Sequence, residues 1–128
     1  MTIICDSREK AHIIGRILDY FDREGIKHYS SKLIVGDYMN LDNSKLSIDR
    51  KFNISELANN LTNDSGRFMR EVRLAKELGI HLVVLCEHGG WCKSIKDVKD
   101  WHNPMQGKIP YAISGKELME RIYKVHIA

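Results

Sequence analysis

The apolar positions of this 128-residue chain change period several times, and each change marks an element. Residues 2–6 are apolar on both alternating faces, the pattern of a strand enclosed in a sheet. Ile13, Ile14, Ile17, Leu18 and Phe21 then recur at helical spacing, and Gly25 closes that helix as a C-terminal cap. Between residues 27 and 52 the texture is short and β-like, with pieces at 28–30, 32–35, 38–41 and 46–52. Asp42-Asn43-Ser44 supplies turn chemistry before the last piece, and the expectation is an antiparallel meander. Residues 54–61 and 67–78 return to the helical period. The polar turn Thr62-Asn63-Asp64-Ser65-Gly66 separates them, with Asp64 or Ser65 as the cap of the second helix and Gly79 as its end. Residues 81–86 are a second strand apolar on both faces, and 87–110 is irregular apart from one short helix over 95–101. Residues 114–125 form an amphipathic helix with Leu118, Ile122 and Val125 on one side, Ser114 as its cap and Glu117 three residues on. There is no repeat, low-complexity tract or linker, so the expectation is one α/β domain over residues 1–128.

Composition narrows the classes without choosing among them. At 43% hydrophobic and 29% charged residues, the chain can bury one core. A net charge of +3 is too small to mark a nucleic-acid binder in bulk, so any positive footprint has to come from clustering. The N-terminal Met1-Thr2-Ile3-Ile4-Cys5 gives way at once to Asp6-Ser7-Arg8-Glu9-Lys10, unlike a signal peptide, and no stretch approaches the roughly twenty apolar residues of a membrane span. A cytoplasmic protein with no membrane partner is expected. The three cysteines, Cys5, Cys86 and Cys92, are an odd set that suits free thiols.

The candidate chemistry lies in Val35-Gly36-Asp37-Tyr38 and, after a short polar interval, Ile48-Asp49-Arg50-Lys51. Residues two apart in a strand share a face, so Asp49 and Lys51 point the same way. An antiparallel return would bring Asp37 near Asp49. Two carboxylates make a hard oxygen site for Mg²⁺, which takes one or two protein carboxylates and completes its shell with water and phosphate, beside a lysine able to stabilise charge on a phosphate. The plainer reading is surface Asp-x-Lys and an ordinary Gly-Asp turn. Arg50 shares its strand face with Leu46, Ile48 and Phe52 and needs a partner, such as Glu9 or Glu71, or a route to solvent. Arg67, Arg70, Arg73 and Lys76, aided by Lys10 and Lys32, form either a phosphate-binding stripe or a solvated helix face. Cys86-x-His88-x-x-x-Cys92 with His102 is a borderline zinc spacing, against which stands Cys86 as core filling. Trp91, Trp101 and Tyr111 either stack on unpaired bases or pack inside. Gly115-Lys116 lacks the rest of a P-loop.

Taken in order, Asp6-x-Arg8-Glu9, Val35-Gly36-Asp37-Tyr38, Asp49-Arg50-Lys51, Gly66-Arg67-Phe68 and the strand Leu82-Val83-Val84-Leu85 resemble the catalytic domain of the XPF-type structure-specific endonucleases, within the PD-(D/E)xK nuclease superfamily. The resemblance covers residues 3–87. It implies a restriction-endonuclease-like mixed β-sheet flanked by helices, dependence on Mg²⁺ or Mn²⁺, and cleavage of branched DNA such as flaps, forks or Holliday junctions in repair or recombination. It also implies Asp37 and Asp49 as the metal carboxylates, the carbonyl of Arg50 as a third ligand, Lys51 as the catalytic lysine and Asp6 as an acid supporting the metal or its waters. Arg8, Arg50, Arg67 and Arg70 would meet DNA. The chain departs from the pattern at Asp49, where the family usually has glutamate, and at Ser55, where it has an aspartate; Glu56 is the neighbouring acid. No helix-hairpin-helix module follows, so a stand-alone member of the kind found in prokaryotes and phages is expected, with homodimerisation as a secondary expectation. Two rivals remain open: a DNA-binding module that keeps the nuclease fold without turnover, and a zinc-stabilised interaction domain.

Overall fold

The computed structural model describes residues 1–9 and 11–127. Lys10 of the basic stripe, and the side chain of Ile13 on the first helix, lie outside the described residues. Five strands form one mixed sheet: β1 (Thr2–Asp6), β2 (Lys27–Ser31), β3 (Tyr38–Asn40), β4 (Asn43–Lys51) and β5 (His81–Cys86). Their order is β2-β1-β3-β4-β5. The helices are α1 (Ala11–Arg23), α2 (Ile54–Asn60), α3 (Ser65–Glu77) and α4 (Gly115–Ile127), with a 3-10 helix over Ile95–Asp100. This is the mixed sheet flanked by helices expected of a restriction-endonuclease-like fold.

The expected meander from 27 to 52 is corrected. β2 runs parallel to β1, with Thr2 opposite Lys27 and Asp6 opposite Ser31, because α1 serves as the crossover that a parallel pair requires. Residues 32–35 form no strand; they are a loop in which Leu33 and Val35 are buried while Ile34 is exposed. Only β3 and β4 make an antiparallel hairpin, with Tyr38 opposite Ile48 and Met39 opposite Ser47 and a register shift after Met39. β5 is not enclosed as β1 is. It sits at the sheet's edge, where Val83 and Leu85 are exposed and Leu82 and Val84 half-buried.

The chain forms two compact units. The first comprises Met1–Arg50 and Met69–Leu85, with Ile4, Cys5, Ile14, Leu33, Val35, Tyr38 and Ala75 as its core. The second comprises Lys51–Phe68 and Cys86–Ala128. Its core is Ile54, Leu57, Ala58, Leu61, Phe68, Val98, Trp101, Ile113 and Leu118, and in it α4 packs on the 3-10 helix. Asn53 caps α2 by accepting a hydrogen bond from the Glu56 N–H at 2.9 Å, and Arg121 of α4 donates to the Leu61 carbonyl at its far end at 2.9 Å. Among the described residues no helix is long and apolar enough to cross a membrane.

Candidate active site

Backbone pairing brings the acids of the first unit into a row. β1 and β3 pair with Cys5 opposite Tyr38, and one residue further the Asp6 N–H donates to the Asp37 carbonyl at 2.8 Å. Asp37 in turn brackets Asp49: its N–H donates to the Ile48 carbonyl at 2.7 Å, and its Oδ2 accepts from the Arg50 N–H at 2.7 Å. The Asp37 carboxyl also lies close enough to those of Glu9 and Asp49 for both to affect its ionisation. Glu9 and Asp49 therefore each bear on Asp37, and the expected approach of Asp37 to Asp49 is what the structure contains.

The turn that delivers Asp37 is held from three directions. Gly36 has φ +76°, a conformation that L side chains rarely adopt, and a Cβ there would collide with the Ser47 hydroxyl. Ser47 is fully buried in β4, and its hydroxyl donates to the Val35 carbonyl at 2.8 Å. From α3, Glu71 Oε1 accepts the Gly36 N–H at 2.7 Å. Sequence reasoning assigned Glu71 only as a salt-bridge candidate for Arg50 and did not single out Ser47. Neither role has a local signature, since the contacts join residues 35 and 12 apart in sequence.

Asp6 is buried with both carboxylate oxygens engaged by protein donors: Oδ1 accepts from the Leu33 N–H at 3.0 Å and Oδ2 from Arg8 Nε at 2.9 Å. Arg8 Nη2 donates to the Leu33 carbonyl at 3.0 Å. Asp6 and Arg8 thus clasp both backbone groups of Leu33, four residues ahead of Asp37. This is scaffolding of the acid-bearing loop.

Along β4, burial alternates: Ser47, Asp49 and Lys51 are buried while Leu46, Ile48 and Arg50 are half-buried. Asp49 is 4% exposed and Lys51, the last residue of the strand, 7% exposed. The face that carries Arg50 is not a closed apolar surface, so its cation has a route to solvent. In the second unit the Lys51 ammonium lies 5.3 Å from the centroid of the Phe68 ring, within cation-π range. Arg67 is exposed and paired with Asp64 at 3.2 Å, and Arg70, Arg73 and Lys76 are exposed on α3. Ser55 is exposed, and Glu56 is committed to the start of α2, its carboxylate accepting from the Phe52 N–H at 2.7 Å.

Burial pushes the Asp37 carboxyl up to about 6; the Arg50 N–H and Asp49 oppose the rise, while a hydrogen bond from protonated Asp37 to Glu9 adds to it. The nearby Glu9 charge disfavours ionisation of Asp37 further. Tyr38 is buried and its phenol is pushed up to about 12, chiefly by desolvation. Among the described residues, no three or more His, Cys, Asp or Glu side chains are grouped as a ready-made metal cage, and this includes the Cys86, His88 and Cys92 spacing. Burial raises both thiols, Cys86 to about 11, so they stay protonated at neutral pH.

Among curated proteins none matches this chain. The ERCC4 domain matches residues 5–125, the acid row, the turn at Gly36 and the chain through α3 and β5 included. A match of that extent shows the family: the chain belongs to the ERCC4 domain family, that of the XPF-type nuclease domains.

Proposed function

We propose that this chain is a divalent-metal-dependent DNA endonuclease that hydrolyses phosphodiester bonds at branched DNA such as flaps, forks or four-way junctions, in repair or recombination. The observation that carries the reading is the meeting of the Asp37 and Asp49 carboxyls beside β4, the strand that ends in buried Lys51. The donor set fits Mg²⁺ or Mn²⁺: it is all oxygen, supplied by Asp37, Asp49 and the carbonyl of Arg50, and the remaining ligands would come from water and a phosphate. When bound, such an ion polarises a phosphate oxygen and makes a nucleophilic water available at neutral pH. Lys51, whose ammonium lies over the Phe68 ring, then stabilises charge building on the phosphate. Asp6 and Arg8 act as positioning residues that keep the Asp37 loop in place. Arg67 and Arg70, exposed on α3, contact phosphates, and Arg50 contributes from the rim of the acid row. The chain works as one nuclease domain, which the family match running from residue 5 to 125 supports. It acts in the cytoplasm, and we include homodimerisation in the proposal.

The test is incubation of labelled single-stranded, duplex, flap, fork and four-way-junction DNA with wild type, Asp49→Asn and Lys51→Ala, each with and without Mg²⁺ or Mn²⁺. Metal-dependent cutting of the branched substrates is expected, lowered by a factor on the order of a hundred or more in either variant, the scale of losing one electrostatic stabiliser. Undiminished cutting by both variants would overturn the assignment. A specific observation keeps one rival in play: the acid that relatives carry is Ser55 here, and Glu56 is occupied in capping. A non-catalytic module would bind the same forks and cut none of them at any metal concentration.

A further inference from the structure

The end of β5 and the 3-10 helix carry a second set of groups with no part in the acid row. His88 Nδ1 accepts the Ile54 N–H at 3.1 Å, which fixes the imidazole to the first residue of α2. The Glu87 N–H donates to the Lys51 carbonyl at 2.9 Å. On this fixed ring stands Trp91, edge-on to His88 at 5.6 Å between centroids and 88° between planes. The indole is nevertheless 47% exposed, and Phe52, on the segment pinned by the same two hydrogen bonds, is 65% exposed. A large aromatic immobilised by its surroundings and still open to solvent is unlike core packing, and unlike Trp101 of the same unit, which is buried.

The residues that follow supply charge in an ordered line. Ile95-Lys96-Asp97-Val98-Lys99-Asp100 repeats every three residues, and a 3-10 helix has three residues per turn, so each residue type occupies its own edge. Val98 is buried and Ile95 half-buried on the apolar edge. The Asp97 carboxylate is turned back to accept the N–H groups of Lys93 and Ser94 at 2.8 and 3.1 Å. Lys96 and Lys99 are left eclipsed and exposed on the third edge, about 6 Å apart along the axis, and exposed Lys93 precedes the helix just before its extended N-cap Ser94. That step is comparable to the separation of successive phosphates along an extended strand.

We propose that the His88–Trp91 corner and the lysine edge of the 3-10 helix form a binding site for unpaired single-stranded DNA, with a base stacked on Trp91 and phosphates held by Lys93, Lys96 and Lys99. The inference rests on the nuclease reading for its choice of nucleic acid over protein, and it adds what that reading lacks: a reason for preferring DNA with an unpaired arm. Base–aromatic stacking tolerates any sequence, as a structure-selective enzyme requires.

The chain has only two tryptophans, so the emission of Trp91, the exposed one, can be read against that of buried Trp101. The full chain is titrated in EDTA with oligo-dT, a fork with unpaired arms and a blunt duplex. Oligo-dT and the fork quench the exposed emission and the duplex does not. Trp91→Ala binds oligo-dT about tenfold more weakly, while Trp91→Phe binds within about twofold of wild type, a rescue that only an aromatic contact gives. Lys96→Ala with Lys99→Ala lowers the salt slope of oligo-dT binding by about 1.4. DNA binding with unchanged Trp91 emission, or Trp91→Ala binding like wild type, overturns the inference. So does failure to bind oligo-dT, or emission that follows protein concentration and ignores DNA, which assigns the corner to a protein contact. Metal-dependent cleavage is scored separately on the same preparations, so the nuclease reading can fail or survive without deciding this one.

Discussion

At Asp37, burial and the neighbouring Glu9 hold a proton on a group that would ordinarily have lost it. Its folded-state value, about 6, lies above its ordinary 3.8, so the folded form binds more protons than the unfolded form between those limits. The stabilising contribution is therefore fully present below about pH 3.8 and is lost as pH rises through about 6. We expect the melting temperature of the metal-free protein to carry a downward component across that window, and Asp37→Asn to flatten it in scanning calorimetry. Tyr38, next in sequence, gives a contrasting expectation. Its hydroxyl is buried and, among the described residues, has no hydrogen-bond partner. Removing an unsatisfied buried polar group is neutral or favourable, by up to about 1 kcal/mol. Tyr38→Phe should thus match or exceed wild-type stability in urea denaturation and leave cleavage unchanged.

At the level of elements, the contact between α3 and the Gly36 turn joins the sheet's acids to a helix. A charge-assisted hydrogen bond of this kind contributes about 1.5–3 kcal/mol, so Glu71→Ala should destabilise the fold by about that amount and Glu71→Gln by less. Equilibrium urea unfolding of the two variants checks this, and cleavage should fall in the same order because Asp37 loses its support. How far such elements can be read from sequence depends on the range of the forces that set them. The helices followed their period, and Asn53-x-x-Glu56 and the three-residue repeat at 95–100 are local signals. The pairing of β2 with β1 was within reach, since strand, helix, strand implies a parallel crossover. Residues 32–35 misled because their burial alternates as in a strand, yet Leu33 spends its backbone groups on Asp6 and Arg8. β5 misled because whether an apolar strand lies at the centre or the edge of a sheet is decided by topology. At the site, Asp37, Asp49 and Lys51 were legible as types at a spacing. Glu71 and Ser47 were not, because a carboxylate 35 residues away carries no sign that it will meet one backbone amide.

For the molecule as a whole, a net charge of +3 means that DNA affinity has to come from local clusters. Arg67 and Arg70 are exposed on one helix, and removing one phosphate-binding cation should reduce the salt slope of binding by about one. Arg67→Ala with Arg70→Ala should therefore lower the slope of log K against log salt by about two, with similar losses on duplex and forked DNA. Equal slopes in a fluorescence-anisotropy titration would remove both arginines from the interface. A homodimer would show in light scattering as twice the monomer mass at high concentration, and a monomer across the accessible range would end that part of the proposal.

The clasp around the acid-bearing loop has a further consequence. The amides of Leu33, Gly36 and Arg50 donate in turn to Asp6, Glu71 and Asp37, so all three protons point at carboxylates and not at water. Such protons exchange with deuterium only when the loop lifts from its acids. Their exchange rates amount to a built-in clock for the opening of the acid row, readable in the resting protein with neither nucleic acid nor cation present.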